Sequence, residues 1–110
     1  MSLFSLLFDI LYVGHSLVGP NLPPAVEATL RAMNEPGTED VQVQAQIING
    51  APLGYNWDHA ADAQGVNARA VLPLGNTDVL ILTEAQPLAS HLKWSNTARN
   101  AARFARAVQF

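Results

Sequence analysis

An α/β fold built on parallel strands is what this sequence predicts, and three observations predict it. Two short uncharged apolar runs, Ile10–Val13 (ILYV) and Val79–Leu82 (VLIL), are bounded by turn residues, as buried strands are. Between them, Val41–Ile48 alternates apolar and polar residues, the period of a strand. Helical patterns separate and follow these runs, giving the order strand, helix, strand, short helix, strand, helix. That order calls for right-handed crossovers and a parallel sheet.

Each element has its own justification. ILYV stops at Gly14 and reads as a buried strand. Pro20–Pro24 is a turn in which Asn21 is placed to cap a helix and the prolines fit its first turn, where a missing N–H costs nothing. In the helix that follows, Val26, Leu30 and Met33 share one face, and Glu27 and Arg31 stand four apart on another. Asn34, Pro36 and Gly37 are its stop signals. In the alternating strand Val41, Val43, Ala45 and Ile47 face one way and Gln42, Gln44 and Gln46 the other, the pattern of a half-covered edge strand. Ala51–Ala63 reads as irregular, and Gln64–Leu72 as a short helix weakened by Gly65. VLIL reads as a central parallel strand with helices on both faces, and Thr83–Leu88 as a loop. Ser95 or Asn96 caps a last helix with Ala98, Ala101, Ala102, Ala105 and Val108 on one face. Arg99, Arg103 and Arg106 line another face, which reads as solvated or as a contact for an acidic partner.

Bulk composition narrows the function classes. The 110 residues make one domain, 49% hydrophobic and 14% charged, which is globular rather than disordered. A net charge of −3 gives no support for nucleic acid or an anionic membrane as partner. The absence of cysteine excludes disulfides, thiol catalysis and cysteine-ligated zinc. The apolar start, MSLFSLLFDIL, has no Lys or Arg before Arg31 and is interrupted by Asp9, unlike a secretory signal. As written the chain reads as cytoplasmic, or as periplasmic or secreted where a signal has been lost from its start. No stretch approaches the ~18–20 apolar residues of a membrane span.

In open α/β sheets, ligands bind beyond the carboxyl ends of the strands. Here those ends deliver Gly14-His15-Ser16, Asn49-Gly50 and Thr83-Glu84-Ala85-Gln86. Together they offer a hydroxyl, an exposed backbone amide, a carboxylate and a carboxamide. Ser16 and Gly50 also have plain readings as turn residues. Asn56, Trp57, Asp58 and His59 either line a cleft or form an irregular loop with Trp57 docked on the core. The spacing of the histidines, Asp58 and Glu84 shows no metal-ligand motif.

Gly14-His15-Ser16-Leu17 at a strand end, then Asn49-Gly50, then Thr77-Asp78-Val79-Leu80-Ile81-Leu82, resembles the N-terminal half of the SGNH hydrolases, the GDSL-type esterases and lipases. The resemblance spans most of the chain, with His15 where the family's G-D-S-L block has Asp. It implies a flavodoxin-like, three-layer α/β/α domain, here incomplete. It implies hydrolysis of a carboxylic ester, whether small, lipid or carbohydrate, with no cofactor and no metal. Ser16 would be the nucleophile, and the N–H groups of Ser16 and Gly50 would hold the oxyanion. His15, Asn49 and Glu84 would border the cleft.

Two departures qualify the match. The family's third block, G-x-N-D, is replaced by Thr83-Glu84-Ala85-Gln86, so the asparagine donor falls on Ala85 and Gln86 is the one side chain able to stand in. The family's D-x-x-H block, source of the base and its carboxylate, is absent, and His15, His59 and His91 do not reproduce it. With the later strands missing, the free edge of VLIL is expected to drive self-association. The rival expectation is a binding or interaction module that keeps the fold without the chemistry.

Overall fold

The computed structural model describes residues 8–33, 35, 36 and 40–108. Residues 1–7 of the apolar start and the stop signals Asn34 and Gly37 lie outside them. Four strands form one mixed sheet in the order β3-β2-β1-β4. β1 is Phe8–Gly14, β2 Val41–Ile47, β3 Gln64–Gly65 and β4 Val79–Leu82. β1 lies parallel to β2, with Leu11 opposite Gln44 and Val13 opposite Gln46. It also lies parallel to β4, with Leu11 opposite Leu80 and Val13 opposite Leu82. β3 pairs antiparallel with Gln46 and Ile47, so the sheet is not wholly parallel as expected.

The helices are α1 (Leu22–Ala32), α2 (Leu53–Asp58), α3 (Ala68–Val71), α4 (Leu88–Trp94) and α5 (Thr97–Ala107). The supposedly irregular stretch therefore holds α2 and a 3₁₀ turn at Ala60–Asp62. The expected helix over Gln64–Leu72 is instead β3, α3 and a 3₁₀ turn at Leu72–Leu74. Helices this short have weak periodic signals, so packing fixes them rather than propensity.

Register explains the core. Leu11 and Val13 share a sheet face, and they cluster with Leu53, Ala68, Leu72 and Phe104 from the helices above. The opposite parity, Ala45 and Ile47, packs with Val18 and Tyr12. The anchor of α5 is Phe104, fully buried, with Trp57 edge-on at 5.1 Å between ring centroids. Ala98 and Ala105, assigned to the inner face from spacing, are exposed. Trp57 thus docks on the core.

The sheet's two edges differ. On β2, Glu27 Oε1 accepts the Val43 N–H at 2.9 Å, and the Arg31 guanidinium donates to the Val41 carbonyl at 2.9 and 3.1 Å. Those two side chains, expected to pair with each other, bind the strand instead. β4 is the opposite edge rather than a central strand, and all four of its residues are half-buried. Among the described residues, no helix is long and apolar enough to cross a membrane.

Candidate active site at the strand ends

β1 ends against its neighbours through main-chain bonds that continue past the ladder. The Ile48 N–H donates to the Gly14 carbonyl at 3.2 Å, and the Thr83 N–H to the Val13 carbonyl at 3.0 Å. A side chain at Gly14 would collide with Val18 and Thr83, so only glycine lets the three chains meet there. Ser16 lies two residues beyond one end of the Gly14–Ile48 bond, and Gly50 two residues beyond the other. Both are exposed. Gly50 has φ +69°, the left-handed region that favours glycine. The N–H groups of Ser16 and Gly50 have no acceptor among the described residues.

His15 is buried, at 6% exposure. Its Nδ1 accepts the Leu17 N–H at 3.3 Å, which leaves Nε2–H to donate to the Glu84 carbonyl at 2.9 Å. Both ring nitrogens are committed to backbone, so the ring braces the Ser16 turn against the end of β4. Glu84 is likewise structural. Its Oε1 accepts from the N–H groups of Leu53 and Ala85 at 2.9 and 2.8 Å, and its Oε2 from the Thr97 hydroxyl at 2.6 Å. One carboxylate thereby ties together the start of α2, the end of β4 and the start of α5.

A buried amide network lies beneath the rim. Gln46 Nε2 donates to the Asn56 carbonyl and Oδ1 at 2.8 and 3.0 Å, and Gln46 Oε1 accepts the Ala68 N–H at 2.8 Å. Asn56 Nδ2 donates to the Gly14 carbonyl at 3.2 Å. Asn56 therefore supports the Ser16 turn from below instead of lining a cleft. The spacing Gln46…Asn56 carried no signal for this, because the partners come from β2, α2 and α3.

The structure does not bring every expected residue into one place. Asn49 and Gly50 line a shallow cleft of 180 Å³ with Pro52 and Tyr55, and Ser16 is not among its walls. Gln86 is exposed and precedes the cis Gln86–Pro87 bond. Ala85, at the family's asparagine position, is buried and offers no donor side chain. His59 stacks on Tyr55 and lies 3.8 Å from Asp62. His91 Nδ1 is 2.8 Å from the Ser95 hydroxyl. Comparison with known proteins adds no family: no protein-family model, curated protein or solved structure matches this chain.

Proposed function

We propose that this chain is the nucleophile-bearing half of a serine ester hydrolase with the three-layer α/β/α arrangement of the SGNH type. The observation that carries the reading is the pairing of an exposed Ser16 with two unbonded N–H groups, its own and that of Gly50. These flank the bonded Gly14–Ile48 junction. In this reading Ser16 Oγ attacks the ester carbonyl carbon, and the carbonyl oxygen takes the negative charge. In this reading the N–H groups of Ser16 and Gly50 donate to that charge. The alcohol leaves and water then releases the acid from the acyl-serine. Removal of the serine proton requires a base, and the reading assigns the histidine and its carboxylate to residues outside these 110. Gln86 is the remaining candidate for a third oxyanion donor.

A second reading has its own support. None of the described histidine rings is bonded to Ser16: His15 is held by backbone, His59 lies beside Tyr55 and Asp62, and His91 by Ser95. That favours a non-catalytic interaction module on the same scaffold. Hydrolysis of a short-chain p-nitrophenyl ester by the protein from its native source separates the two. The hydrolase reading expects Ser16→Ala to lower kcat by about 10³-fold or more while folding is kept. Hydrolysis unchanged by that substitution, or none in the folded protein, favours the module.

A further inference from the structure

At the opposite, amino-terminal end of the sheet lies a cleft of 280 Å³. Asp9 and Leu11 of β1 and Gln42 and Gln44 of β2 are register partners on one sheet face. They line the cleft together with Val71 and Thr77. This is the glutamine face of β2, where Gln42 and Gln44 are half-buried. Gln46 is satisfied by Asn56 and Ala68, whereas Gln42 and Gln44 have no side-chain partner among the described residues. Thr77 is 4% exposed and its hydroxyl has no partner among the described residues. Asp9 Oδ1 is buried and unpaired. A buried carboxylate oxygen without a partner is costly.

The sign of the missing partner follows from the charges. Asp78 sits beside Asp9, its Oδ2 accepting the Asp9 N–H at 2.8 Å. Burial first, and the Asp78 charge second, push the Asp9 carboxyl above the usual carboxylate range. A cation beside the Asp9 carboxylate reverses the second effect. The wall formed by Leu11, Val71 and Leu74 is apolar, which suits a hydrocarbon tail. Among the described residues no group of three or more His, Cys, Asp or Glu side chains forms a metal cage, and hard divalent cations want six or more oxygens. The volume falls below the usual range for drug-sized ligands.

We propose that this cleft binds a small organic ammonium compound, its nitrogen on the Asp9 carboxylate and the Thr77 hydroxyl and its short apolar tail on Leu11, Val71 and Leu74. The site is independent of the hydrolase reading. The test is a ¹H–¹⁵N NMR titration of the chain with n-butylammonium chloride at neutral pH, against sodium chloride at equal ionic strength. Saturable shifts are expected at the amides of Asp9, Leu11, Thr77 and Asp78, with Ser16 unmoved. Asp9→Asn and Thr77→Val are each expected to weaken binding at least about tenfold, the loss of one charge-assisted hydrogen bond. The same spectra report folding; should Asp9→Asn fail to fold, the near-isosteric Thr77→Val carries the test. Shifts no larger than the salt control, or saturable shifts unaltered in Thr77→Val, overturn the proposal. So does saturation by Mg²⁺ or Ca²⁺ without a response to butylammonium.

Discussion

Glu84 accepts from two backbone N–H groups and one hydroxyl drawn from three separate segments, so its truncation leaves the Leu53 and Ala85 N–H groups without an acceptor and Thr97 with the His91 carbonyl alone. Glu84→Ala is expected to destabilise the fold by about 2–4 kcal/mol, and Glu84→Gln by less because one acceptor oxygen remains. Chemical denaturation of the two variants checks the order; equal, small losses would deny the carboxylate its bracing role. Asp9 gives the opposite sign. Its pKa is raised in the fold, by burial and then by Asp78, so the folded state binds the proton more tightly than the unfolded chain. Stability from this group is therefore greatest at acid pH and falls as pH rises from the ordinary value of 3.8 through the raised one. Asp9→Asn is expected to raise stability at pH 7 by a small amount, under about 1 kcal/mol after solvent screening. The gain should fade as pH falls through the raised pKa and be gone below 3.8. A gain that persists or grows in acid contradicts this.

The contrast between edges belongs to the scale of elements. β2 is shielded where Glu27 and Arg31 occupy Val43 N–H and Val41 C=O, and where β3 pairs with Gln46 and Ile47. β4 has neither. Thr83 N–H points to β1, so by the alternation of a parallel ladder Leu80 and Leu82 present their main-chain groups outward. Next in the chain, α4 has no buried residue and exposes Leu88, Leu92 and Trp94. An apolar, uncharged edge of this kind pairs with other strands. Analytical ultracentrifugation is expected to show concentration-dependent self-association, relieved by Ile81→Lys. A monomer at all concentrations would remove the claim.

Across the whole molecule, what the sequence made legible was what period and punctuation encode. ILYV, the Val41–Ile48 alternation and VLIL are strands, and Leu22–Ala32 is a helix, because each carries a repeat longer than its neighbours' noise. The order of β2, β1 and β4 agrees with an α/β crossover scheme. What stayed hidden depends on contacts between distant segments. Gln46 reads as solvent-facing and is fully buried, because Asn56 and Ala68 satisfy its amide. His15 and Glu84 read as cleft residues, yet their bonds run to backbone up to 69 positions away. Phe104 was masked by the alanines around it. At the rim, the turn residues were legible as turns, and Ser16 and Gly50 are exposed just beyond the ends of β1 and β2.

Ester hydrolysis depends on guessing a substrate; reaction with a fluorophosphonate does not, since it needs only an activated serine beside oxyanion donors. Labelling of the folded protein from its native source, with the modified peptide located by mass spectrometry, is therefore the most direct measurement. The account predicts one adduct, on Ser16, abolished by Ser16→Ala. An unlabelled folded protein, or an adduct on another residue, contradicts it.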